Sequence, residues 1–131
     1  MSHRLLEEFA QALIEEARDG SIRQALHIVN STIKSPGYSD LTSVFAALSD
    51  TQREAVKELV YTTVDYVLHN ALYTLEYSNI ARLRLQQGEE VVEDIRKVLA
   101  GDLQGYLFYW VPKYSKEPWS IAVRTTPWED D

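Results

Sequence analysis

The chain has no cysteine among its 131 residues. Disulfide frameworks, thiolate metal sites, iron–sulfur clusters and cysteine nucleophiles are thereby excluded, and a cysteine-free chain suits a reducing cytosol. Positive charge is scarce. Thirteen Lys and Arg face twenty Asp and Glu, a formal net charge of −7, and the densest basic stretch is Arg82-Leu83-Arg84. Nucleic-acid affinity rests on phosphate neutralisation, so nucleic acid is not an expected partner and a basic protein is. Long apolar runs are missing too. Acids interrupt the opening MSHRLLEEFAQALIEEARDG every few positions, so no signal peptide is expected. No stretch approaches the roughly 20 apolar residues of a membrane helix. A cytoplasmic chain without membrane contact is the expectation. Glycine-rich phosphate loops, G-x-S-x-G and His-Glu-x-x-His are absent, and the five glycines stand singly. Neither enzymatic activity nor a cofactor is expected.

What is present is helical patterning. The length suits one domain over residues 1–131, large enough for a core of its own, with residues 124–131 read as a flexible acidic tail. Leu5, Leu6, Phe9, Leu13 and Ile14 recur at helical spacing, with a stop expected at Asp19-Gly20. Ser21 then opens a second helix with Ile22, Leu26, Val29 and Ile33 inward, ended by Pro36-Gly37. A short third helix runs from Leu41, capped by Ser39 or Asp40, with Leu41, Val44, Phe45 and Leu48 inward. Ser49-Asp-Thr-Gln52 is a capping box opening the longest helix, Asp50 to Tyr77, roughly 40 Å long.

Beyond it the pattern weakens. Residues 80–85 read as a short strand or as the end of the long helix, and residues 89–100 as a further helix. Tyr106 to Val111 is rich in β-favouring aromatics and reads as a strand apolar on both faces. The fold class is thus mainly α, four to five helices around a long central one, with a short β element near the C-terminus.

Chemistry-bearing residues concentrate in DYVLHNALYTLEY, residues 65–77. At about 100° per residue, Glu58, Asp65, His69 and Glu76 fall within ~40° of one another, and Tyr73 lies slightly further round. The stripe borders the apolar face. Asp-x-x-x-His can share a cation, but ferritin-like sites need Glu-x-x-His from several helices and no second helix offers a matching pair. No metal site is therefore assigned. The stripe is either a solvated boundary, with Asp65 and His69 paired at i, i+4, or an acidic docking face. His27 reads as a surface histidine. The aromatic tail also has two readings, a lid buried on the bundle or interface anchors. The candidate partner-binding residues are Glu58, Asp65, His69, Tyr73, Glu76, Tyr109, Trp110 and Trp119.

His69-Asn70-x-Leu72-Tyr73-x-Leu75-Glu76, followed by Asp102-Leu103-Gln104-Gly105-Tyr106-Leu107 and an aromatic segment, resembles small, acidic, mostly helical bacterial proteins of the immunity type, found beside secreted or contact-delivered toxins. The resemblance covers roughly residues 41–115. It implies a non-catalytic, stoichiometric inhibitor that occludes a toxin domain, and it transfers no binding residue. The alternatives are a structural or regulatory module that homodimerises through the same stripe, and, third, a metal-dependent enzyme.

Overall fold

A computed structural model describes residues 3–118. Four helices dominate. The first is compound: α1 (His3–Ala12), a π-helical segment (Leu13–Arg18) and α2 (Asp19–Val29) run on without a break. Gly20 does not stop it, and Ser21 caps nothing. The cause lies in the burial row. Leu6, Ala10, Ile14, Arg18 and Ile22 recur every four residues and are all buried. In a straight α-helix such a row drifts by about 40° per step, and the wider turn of the π segment takes up that drift. The helix ends at Asn30, where Ser31 turns left-handed (φ 58°), so Ile33 lies beyond it.

Helix α3 (Ser39–Ala46) forms, but Tyr38 holds its cap position with no side-chain cap from Ser39 or Asp40, and Leu41 and Val44, expected inward, are exposed. Helix α4 (Asp50–Tyr77) follows as expected, and the Ser49–Gln52 capping box is formed in both directions. Arg53 then ties the entry to α4 to its neighbours, donating to the carbonyls of Val29 and Phe45 at the ends of α2 and α3. A cation there also answers the negative ends of two helix dipoles.

Residues 80–100 differ from expectation. They form a two-stranded antiparallel hairpin, β1 (Leu85–Gln87) and β2 (Glu90–Val92), then a single 3-10 turn over Ile95–Lys97. Gly88 at φ 60° is the first of two central turn residues, the position where a type II′ turn requires a positive φ. The expected helix over residues 89–100 is absent, because that turn commits its first residues to pairing. The short sheet lies near the C-terminus as the fold class anticipated, yet the Tyr106–Val111 segment is not its location. That segment belongs to helix α5 (Leu103–Tyr114). Leu103, Leu107, Trp110 and Val111 are fully buried. Their i, i+4, i+7, i+8 spacing presents one stripe to α1 and α4, and the burial it secures overrides the β propensity of the aromatics.

The core joins Leu6, Ala10 and Ile14 of the first helix to Leu72 of α4, Ile95, and the buried stripe of α5. Phe9 meets the Trp110 ring edge-on at 6.2 Å. Truncating a fully buried leucine there by Leu107→Ala is expected to cost about 2–5 kcal/mol. Gly105 sits on the exposed side of α5, and a Cβ there meets nothing within 4 Å. Gly105→Ala is accordingly expected to gain about 0.5–1 kcal/mol. Urea denaturation of both variants checks the pair, and a gain and a loss in those directions are what a helix over this segment requires.

Candidate functional site

The stripe on α4 is the seam on which α5 docks. Helices α4 and α5 run antiparallel, and each stripe residue between Asp65 and Glu76 meets a different level of α5. Asp65 lies at the α5 C-terminus, in a cluster with Arg18 and Ser115. His69 packs on Phe108, ring centroids 5.8 Å apart. The Glu76 carboxylate accepts the backbone N–H of Leu103, the first residue of α5. It thereby satisfies an orphan amide and puts negative charge at the helix N-terminus.

Arg18 is the most enclosed charge, with its side chain at 0% exposure. Its guanidinium donates from Nε to Asp65 Oδ1 at 2.7 Å, from Nη1 to Asp19 Oδ1 at 2.9 Å and Ser115 Oγ at 2.8 Å, and from Nη2 to the Pro118 carbonyl at 3.0 Å. A longer 3.4 Å contact from Nη2 to Asp65 Oδ2 occupies the fifth N–H. Every donor of the fork is used. Two carboxylates share this one cation. The second, Asp19, also accepts the Lys116 amide at 2.7 Å and lies 2.8 Å from Ser115 Oγ. The cluster binds three distant parts of the chain: the π segment, mid-α4, and the stretch after α5.

A second charged node closes the other end of the seam. Arg96 grips Asp94 through Nε and Nη2 and donates from Nη1 to the Glu76 carbonyl at 3.0 Å, in the last turn of α4. The Arg96 hydrogen bond holds the Asp94 carboxyl at about 2, below its ordinary 3.8.

These geometries correct two candidate residues. Asp65 is 5% exposed and Trp110 0%, so neither offers a surface to a partner. The Asp65–His69 pairing does not form, since Asp65 is taken by Arg18. Trp110 Nε1 has no hydrogen-bond partner among the described residues, and its indole serves the core. Glu58, His69 and Glu76 are half-buried. Tyr109 is exposed, with Lys113 over its ring at 5.6 Å. Lys113 in turn pairs with Glu7 at 3.0 Å, which places Tyr109 toward α1 rather than with Tyr73. Trp119 and the acidic tail lie outside the described residues. His27 is exposed as expected, its Nδ1 2.8 Å from Thr32 Oγ1.

Two surfaces went unnoticed in the sequence. Tyr66, Tyr73 and Tyr77 are 60%, 51% and 52% exposed. They fall within about 40° of one another on α4. The Tyr73 and Tyr77 rings lie 4.6 Å apart, and the Tyr77 hydroxyl donates to Asp102 at 3.1 Å, which pushes its phenol pKa up. From Leu59 to Tyr77, every exposed residue of α4 is uncharged. The other surface is an apolar trough of about 400 Å³ where α2, α3 and α4 meet. A smaller hollow of about 370 Å³ between α1 and β1 is flanked by the Arg4–Glu8 and Arg4–Glu90 ion pairs.

Among the described residues, no three His, Asp or Glu are grouped to hold a metal ion, and no helix is long and apolar enough to cross a membrane. No protein-family model, curated protein or solved structure matches the chain.

Removing Arg18 strands two buried carboxylates. Arg18→Leu is therefore expected to cost about 3–5 kcal/mol, and Asp65→Asn less, because it leaves the cation one full partner in Asp19. Equilibrium unfolding in urea at pH 7 measures both. For Asp94 the folded carboxyl binds its proton less readily than the unfolded one. Its stabilising contribution is complete above about pH 4 and lost as pH falls through about 2. The slope of unfolding free energy between pH 4 and pH 2 should flatten in Asp94→Asn relative to the parent chain.

Proposed function

We propose that the protein is a non-catalytic protein-binding module, and that its partner docks on the tyrosine side of α4. The observation that carries this is the exposure of Tyr66, Tyr73 and Tyr77 on a stretch of α4 whose exposed residues carry no charge, in a chain that is 25% charged. Tyrosine supplies a large amphipathic contact at low conformational cost, and such residues dominate binding energy at interfaces. Charge has a different task. With Asp65 and Glu76 committed to the α5 seam, acids serve the net −7 field, which draws a basic partner to the surface. The aromatic ridge then sets how slowly it leaves.

Within this reading the immunity-type inhibitor is the specific form we favour: a cytoplasmic protein that covers a basic toxin domain. The acidic face first expected thereby becomes an aromatic face inside an acidic field. Co-expression tests it, using the product of the reading frame adjacent to this one in its native genome. The parent chain should relieve growth arrest and hold that product in a complex of defined stoichiometry. Tyr66→Ser with Tyr73→Ser should weaken binding by about 2 kcal/mol or more, while circular dichroism and unfolding stay at parent values. Unchanged affinity in the double variant overturns the tyrosine surface. An adjacent product that neither binds nor arrests growth overturns the immunity form.

A further inference from the structure

Asp102 holds the N-cap position of α5 and does not cap it. An aspartate there ordinarily accepts an amide of the helix's first turn, yet this side chain makes no cap hydrogen bond. Glu76 of α4 serves the first amide instead, that of Leu103. Asp102 is exposed, and its Oδ1 accepts the Tyr77 hydroxyl at 3.1 Å. Its Oδ2 has no partner among the described residues. A carboxylate is thus held at the rim of the Tyr73–Tyr77 ring pair, on a ridge to which the exposed residues of α4 contribute no charge.

We propose that Tyr73, Tyr77 and Asp102 seat one arginine of the protein partner, with its guanidinium laid on the tyrosine rings and its N–H edge turned to Asp102. The seat presupposes the protein-binding reading of the tyrosine surface and names the side chain which that surface recognises. The occupant is a cation because both kinds of group in the seat attract one. Each ring face carries the negative side of the aromatic quadrupole, and the carboxylate beside the rings keeps one oxygen open. The charges that push the Tyr77 phenol up, Asp102 and Glu76, are both negative. Among the described residues no Lys or Arg lies over either ring or pairs with Asp102.

Chemistry narrows the cation further. A metal ion takes several ligands, and among the described residues no three His, Asp or Glu are grouped to supply them. A small organic cation needs a concave site that encloses it, whereas Tyr73 and Tyr77 stand on the exposed side of α4. An arginine carried by a docking protein needs neither, because the surrounding interface supplies the contact area. Lysine fits less well. A guanidinium is planar, weakly hydrated and able to stack and to donate in its own plane at once, while an ammonium is a compact, strongly hydrated point charge. Tyr66 is not part of the seat, since it lies about 10 Å along the helix from Tyr73.

Titration of the full chain with acetyl-arginine amide, up to about 100 mM at fixed ionic strength and followed by NMR of ring-labelled tyrosines, tests the seat in isolation. The Tyr73 and Tyr77 resonances should move saturably with a dissociation constant on the order of tens of millimolar, the strength of one exposed cation–π contact and one exposed ion pair. Acetyl-citrulline amide, similar in shape and uncharged, should leave them unmoved, and acetyl-lysine amide should bind about twofold or more weakly. Asp102→Asn still offers an acceptor to the Tyr77 hydroxyl, so circular dichroism should be unchanged, while the dissociation constant for the arginine probe rises about threefold. Tyr66→Ser should bind the probe as the parent does. No movement at Tyr73 and Tyr77 overturns the proposal. So does an equal response to citrulline or an Asp102→Asn titration matching the parent, either of which reduces the Tyr77–Asp102 bond to a tie between α4 and α5. Lysine bound as tightly as arginine overturns the choice of side chain. If the probe fails while Tyr66→Ser with Tyr73→Ser still releases the protein partner, the seat alone falls and the docking surface stands.

Discussion

The buried guanidinium of Arg18 is the constraint to which the rest of the structure answers. A cation with no solvent must have all of its N–H groups met by protein. Doing so here draws Asp65 from mid-α4, Asp19 from the adjacent position of its own helix, and Ser115 and Pro118 from beyond α5. These are points 47 to 100 residues apart in sequence from Arg18 or adjacent to it. Such a cluster adds less net stability than its short distances suggest, because desolvation opposes it. What it adds is uniqueness. A shifted register of α5 against α4 leaves a buried charge without a partner, and that alternative is costly. The π segment belongs to the same solution, since its wider turn keeps position 18 on the row that Ile14 and Ile22 define.

At the opposite end of the α4–α5 seam the same logic appears with weaker enclosure. Arg96 joins Asp94 to the final turn of α4, and Glu76 takes the first amide of α5. Between the two charged nodes lie His69 on Phe108 and the apolar core. Direction and register of α5 are thus specified by polar groups at its two ends, and its adhesion by the leucines and Trp110 between them. This division explains how a segment as β-prone in composition as Tyr106–Val111 becomes helical: the ends are pinned at a separation that twelve helical residues span.

How much of this was legible in the sequence follows from range. Two local signals were read correctly. Ser49 and Gln52 cap each other three residues apart, and the apolar row of α1 is periodic within a few turns. The stripe of Glu58, Asp65, His69 and Glu76 was also real as a helical line bordering the apolar face. Its meaning was not legible, because the partners that define it come from elsewhere: Arg18 is 47 positions from Asp65, and Leu103 is 27 from Glu76. Gly20 misled for a related reason. It is a stop in isolation, but a helix with buried residues on both sides of it gains more by continuing. The one local signal overlooked was Gln87-Gly88-Glu89, whose glycine at positive φ turns the chain back into a hairpin before any helix can begin.

The surfaces left over carry the functional argument. Once the carboxylates of the stripe are spent inside the fold, the exposed face of α4 has no charge from Leu59 to Tyr77, and its two sides differ in kind. One presents ringed hydroxyls able to meet polar and apolar groups alike, as a heterologous partner demands. The other presents branched aliphatic side chains around an apolar trough, which reward only a matching apolar shape. A solvated helix in a −7 protein would carry Glu and Lys at these positions at no structural cost, since exposed sites tolerate them. Their exclusion from the tyrosine side is what the proposed partner contact accounts for.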